Sequence, residues 1–190
     1  MEPERNAFER AHWRFGLERA STWMERPGEL VQTRSVWTDK GLYAAYEGIP
    51  NGFWETPTYT NDHLVRVGLY GWLPQATNTS LDLAKATVEK VWMGWKAISG
   101  TSPCWLCPPA ARNGEIEKAF EWLLHLLFEF SDVWMSMGGV RVTTPYFQGS
   151  GALLYVIAMM AKGWSGSNRT APGFPNRGWE MKVEGISQAL

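Results

Sequence analysis

The chain has 190 residues, with 45% hydrophobic residues and a formal charge of −1. That length and composition predict one globular domain with a core of its own and exclude a disordered polar chain. The near-neutral charge gives no sign of a nucleic-acid partner, and no apolar run is long enough to span a bilayer. Twelve tryptophans stand out. Trp is large, amphipathic and enriched where one surface meets another.

The first twenty residues are charged and lack the apolar stretch of a secretory signal, so a cytoplasmic location is expected. Residues 5–25 predict a helix, and residues 1–28 as a whole form an N-terminal helical unit. Trp13, Leu17, Ala20 and Met24 recur at helical spacing on one stripe. Phe8, Ala11 and Phe15 form a second stripe beside it. A helix so patterned is expected to dock through Trp13, Leu17 and Met24, on its own domain or on a neighbouring subunit. Pro27-Gly28 ends it.

Residues 29–73 predict a three-stranded meander. Val31, Thr33, Ser35 and Trp37 alternate with their neighbours, as do Leu42, Ala44 and Tyr46, and Val65, Val67 and Leu69. Asp39-Lys-Gly41 reads as a hairpin turn and Gly48–Gly52 as a second turn. Residues 79–99 predict a helix in which Leu81, Val88, Val91 and Trp95 face the core, with Thr79 and Asp82 resembling a capping box. Thr101–Pro109 reads as a Pro-rich connector. Residues 114–137 predict a long helix capped by Asn113 and buried on most sides. Val140, Val142 and Thr144 predict a strand, and Gly151–Lys162 a short apolar helix. Gly163–Gly178 predicts a long loop, and Trp179, Met181 and Val183 a closing strand. The expected architecture is therefore a single α+β domain over 1–190. It carries an antiparallel sheet of about five strands with the helices packed on one face.

Four constellations bear on chemistry. Cys104-Trp-Leu-Cys107 supplies two thiols at the spacing of half a zinc site. No second ligand pair accompanies it, and Pro108-Pro109 argues against a redox helix starting there. Two ordinary thiols in a tight connector is the plainer reading, and no cofactor is expected. Glu117, Glu121, His125, Glu129 and Asp132 fall on one ribbon of the predicted long helix. Glu121 and Glu129 flank His125 by one turn each, an arrangement that can raise a His pKa or ligate a metal. The alternative is the one wet face of a buried helix. Gly149-Ser-Gly151 lacks the Lys of a phosphate-binding loop, and Gly163–Ser167 misses a nucleophile elbow at its last position. Finally, Trp164, Arg169, Phe174, Arg177 and Trp179 place cations beside aromatics in the long loop. Such a set suits stacking on a base or sugar, or a protein hot spot, or simply tacking the loop to the body.

No motif specifies a reaction. The expected function is a non-catalytic partner-binding or assembly protein, acting through Trp-rich surfaces on a protein partner or a second copy. A subunit of a larger particle, such as a viral or phage one, fits that description. A small hydrolase built on the His125 ribbon, or a base- or sugar-binding module built on the loop, are the alternatives.

Overall fold

The computed structural model describes residues 7–24, 38–44, 46, 48–60, 70–75, 79–94, 102–126, 129–137 and 144–190. In chain order these form α1 (Ala7–Trp23), β1 (Thr38–Asp39), β2 (Leu42–Tyr43), α2 (Pro57–Thr60), α3 (Leu81–Gly94), α4 (Ser102–Arg112), α5 (Ile116–Leu123) and α6 (Phe147–Lys162). The expected sheet of about five strands is overturned. Among the described residues, sheet structure is the β1–β2 hairpin and two isolated bridges. The expected strands at 31–37, 65–69 and 140–143 lie outside the described residues.

The hairpin turn forms where Asp39-Lys-Gly41 predicted it. Asp39 pairs with Leu42, and both Lys40 and Gly41 take positive φ, as a two-residue turn between twisted strands requires. Tyr43, at the end of the described ladder, also bonds to a side chain of α3 and to the backbone at its start. The Tyr43 amide donates to the Thr87 hydroxyl of α3 at 2.8 Å, and that hydroxyl donates on to the Leu83 carbonyl at 2.6 Å. The Ser80 amide donates to the Tyr43 phenolic oxygen at 2.6 Å. Tyr43 thus satisfies a free donor at the start of α3, and the Ser80 hydroxyl accepts from Leu83 at 3.4 Å where a Thr79 cap was expected.

The core is built around α4, which contacts α3, α5 and α6. Leu106, Cys107, Pro108, Pro109, Ala110 and Ala111 are all buried, so the expected Pro-rich connector is instead the central helix. Two interior prolines remove amide donors and should break such a helix. Here the donor lost at Pro109 is replaced from outside. Pro109 cannot donate to the Trp105 carbonyl, and the Trp72 indole N–H does so at 3.0 Å. The segment 70–73 crosses α4 at this point. Gly71, with φ +103, lies so close that a Cβ would stand 2.3 Å from the Pro109 nitrogen. That backbone conformation is also why the strand expected to continue through Tyr70 and Trp72 bends instead. Trp72 is held between Trp105, at 4.7 Å between ring centroids, and Tyr155 of α6, stacked at 5.2 Å.

Helix α4 ends in a Schellman motif. Gly114 takes φ +80, its amide bonds to the Ala111 carbonyl, and the Glu115 amide bonds to the Ala110 carbonyl. Asn113, expected to cap the next helix, therefore closes this one. Helix α5 follows and buries Ile116, Ala119, Trp122 and Leu123. It stops at Leu123, well short of the expected residue 137.

Helix α3 buries Ala84, Thr87, Val88 and Val91 as a stripe, while Leu81, expected in the core, is exposed; Trp95 lies outside the described residues. Helix α6 begins four residues earlier than expected, so Gly149-Ser-Gly151 lies inside its first turns. The residues after it form no closing strand. Burial still alternates: Met181 and Val183 pack on the core while Glu180, Lys182 and Glu184 are exposed. The backbone partner of this tail is the start of the 163–178 loop, through Ser165 and Ala189 amides that donate to the Ala189 and Gly163 carbonyls, each at 2.9 Å.

Helix α1 turns a different face to its own chain from the stripe expected to dock there or on a neighbouring subunit. Ala11 packs beside Tyr43, Tyr70 and Ala84, and Ser21 is buried. At 100° per residue the centre of that face is turned about 100° from the Trp13–Leu17–Met24 stripe. All three of those residues, and Trp23, are exposed in the chain. No helix among the described residues is long and apolar enough to cross a membrane.

Candidate functional site

The two thiols sit one helical turn apart on α4. Cys107 is fully buried, and the side chain of Cys104 lies outside the described residues. No group of three potential metal ligands occurs among the described residues.

The His125 ribbon is divided by the early end of α5. Glu117 and Glu121 lie on the exposed face of the helix. His125 follows the last turn, half-buried, with its ring edge-on to Trp92 at 5.3 Å. Glu129 and Asp132 are exposed in the irregular stretch beyond. Glu121 and Glu129 thus no longer occupy successive turns on either side of His125. The cation on α5 that does find carboxylates is Lys118, which donates to Glu89 at 2.6 Å and Glu115 at 3.0 Å. The Glu89 hydrogen bond is the main cause holding the Lys118 pKa above its ordinary value.

The aromatic-basic loop is folded inward. Phe174 is buried against Phe120 at 5.6 Å. Gly173 presses so tightly on α6 that a Cβ would lie 2.3 Å from that of Met160. Arg169 donates to the Asn176 side-chain oxygen and to the Phe174 carbonyl, at 3.4 Å for the latter, so it braces the loop. Trp164 is half-buried, and the Arg112 guanidinium lies 5.6 Å from its ring centroid. Arg112 also donates to the Leu190 carbonyl, tying the tail to α4. Burial pushes the Arg112 pKa down, against the opposing pull of the Tyr155 and Tyr70 hydroxyls. Of the five loop candidates, Arg169, Arg177 and one face of Trp179 remain open to solvent. Trp179 is 52% exposed with its ring 4.8 Å from Phe120. The Phe174 and Trp179 rings meet at 6.2 Å between centroids, with Arg169 bonded to the Phe174 carbonyl.

One exposed site is one that the helix expectation concealed. Residues 130–136 form a short hairpin closed by an antiparallel bridge between Phe130 and Ser136. The Ser131 amide donates to the Met135 carbonyl at 2.8 Å, the Trp134 amide to the Ser131 carbonyl at 2.9 Å, and the Met135 amide to the Ser131 hydroxyl at 3.2 Å. Ser136 anchors the base to the start of α6 through Tyr146 and through the Ser150 hydroxyl at 3.0 Å. The tip carries Val133 and Trp134, 67% and 85% exposed, with Trp134 at φ +61. A bulky side chain with positive φ is rarely held without surrounding constraint. Leu124 and Leu126, at the end of α5, are also exposed. Ser131-Asp132, two turn-forming residues inside an apolar run, is the sequence signal for this hairpin.

Neither family models, nor curated proteins, nor solved structures give a match to this chain.

Proposed function

We propose that this protein is a non-catalytic binding or assembly module, and that the hairpin at 130–136 is its principal contact. The observation that carries this reading is Trp134. It is an indole almost wholly in solvent, on a turn whose backbone is bonded internally and to α6. Exposed apolar side chains on a pre-ordered turn lose little conformational freedom on binding, which is how aromatic anchors come to dominate interfaces. Val133 beside it, also exposed, widens the apolar tip. The partner would offer an apolar pocket the size of an indole.

The test is selection of binders from a displayed protein library against the wild-type chain, with Trp134→Ala and Val133→Ser chains as counter-targets. The reading expects selected binders to lose affinity for both variants by tenfold or more, the scale of an interface hot spot at roughly 2 kcal/mol. Binders that map elsewhere and ignore both substitutions would refute it.

A further inference from the structure

We infer that α1 pairs antiparallel with α1 of a second copy of this chain, through the face that carries Trp13, Leu17 and Met24. This extends the assembly reading to a second surface and is tested apart from the hairpin. The inward face of α1 is already occupied: Ala11 packs in the small cluster with Tyr43, Tyr70 and Ala84, Arg14 is paired with Glu18 at 2.8 Å, and Ser21 is buried. The outward face is Trp13, Gly16, Leu17, Ala20, Trp23 and Met24, and the exposed Glu9 shares it one turn before Trp13.

The stripe is complementary to itself. The Trp13, Leu17, Ala20, Met24 spacing is the four-three-four pattern of a two-helix seam. Set antiparallel, Trp13 lies opposite Met24, and Leu17 opposite Ala20, so large residues meet smaller or pliant ones. Trp23 falls beside Gly16, where a side chain meets nothing within 4 Å. An open groove of about 580 Å³ runs along Glu9, His12, Trp13, Gly16 and Leu17, so the space is present in the single chain. A two-fold pairing repeats each contact, the usual geometry of a closed dimer. From the exposure of Trp13, Leu17, Trp23 and Met24, the pairing would bury about 500 Å² of apolar side chain per copy, on the order of 1,000 Å² for the pair. That meets the lower bound for a specific interface and implies a reversible dimer.

The experiment is sedimentation equilibrium of the full chain from about 1 to 100 µM. The expected result is a monomer–dimer equilibrium that Gly16→Glu and Leu17→Glu each weaken by tenfold or more, with Trp134→Ala neutral. Gly16→Glu is the cleaner probe, because the open space at Gly16 lets the monomer keep its circular dichroism and melting curve. Oxidation of an equal mixture of Leu17→Cys and Ala20→Cys chains should give the mixed disulfide dimer in excess over either homodimer. A monomer at every concentration overturns the proposal, as does a dimer that both Glu variants leave intact. A dimer lost in Trp134→Ala but kept in Gly16→Glu also overturns it, while leaving the hairpin reading standing. Flotation of a monomeric chain with phosphatidylcholine–phosphatidylglycerol vesicles, abolished by Gly16→Glu, would assign the face to membrane instead.

Discussion

The Trp72 indole N–H donates to the Trp105 carbonyl, the acceptor that Pro109 leaves empty within α4. A loop residue thereby completes a helix that its own sequence interrupts. Trp72→Phe keeps the ring between Trp105 and Tyr155 but removes the donor. The expected cost is about 1–3 kcal/mol, the penalty for a buried acceptor without a partner. Urea denaturation of the two proteins measures it, and an unchanged midpoint would show that α4 does not depend on this bond.

Two glycines should respond in opposite directions. A Cβ at Gly71 would overlap the Pro109 backbone, and its φ is positive, so Gly71→Ala should destabilise by at least ~2 kcal/mol. Gly16 is helical and has open space around it, so Gly16→Ala should stabilise by up to ~1 kcal/mol. Paired thermal melts decide both.

Tryptophans divide by the same logic. Trp122 is 1% exposed and packs on Trp92 at 4.9 Å. Trp122→Ala should cost about 3–5 kcal/mol. Trp134→Ala should change stability by no more than about 0.5 kcal/mol while abolishing binding at the hairpin. A large stability loss at Trp134 would make that ring a structural element.

Thr87 accepts from the Tyr43 amide and donates to Leu83, joining the hairpin to α3. Thr87→Val preserves shape but strands the buried amide, with an expected cost of about 1–3 kcal/mol. Faster hydrogen exchange confined to Tyr43 and its neighbours would locate the effect.

Stability should fall at alkaline pH. Burial pushes the Tyr43 and Tyr70 hydroxyls up, and the bond to Glu89 chiefly pushes the Lys118 ammonium up. In each case the folded chain holds its proton to higher pH than the unfolded one. The associated stability is complete below the unfolded values, near pH 10, and is lost as pH rises through the folded ones. Denaturation midpoints should therefore hold to about pH 9 and decline above about 10. A midpoint that stays level through pH 11 would contradict the assignment of these shifts.

By itself, the sequence determined the local features whose cause is local. The Lys40-Gly41 turn follows from residues that tolerate positive φ, α1 and α3 from apolar periodicity, and the alternating burial of 181 and 183 from a two-residue repeat. Periodicity says which residues share a face, but it does not say what that face meets. Trp13, Leu17 and Met24 share a stripe as expected, yet only the tertiary structure turned that stripe outward, because Tyr43 and Tyr70 are placed against Ala11. Tertiary structure likewise decided α4. Its proline pair reads as a break until a donor arrives from Trp72, 33 residues away in the chain. It also ended α5 at Leu123 and folded Ser131–Met135 into a turn, which divided the His125 ribbon and displayed Trp134. Helix and hairpin compete there on similar local terms, so the choice fell to distant bonds, such as those of Ser136 to Tyr146 and Ser150.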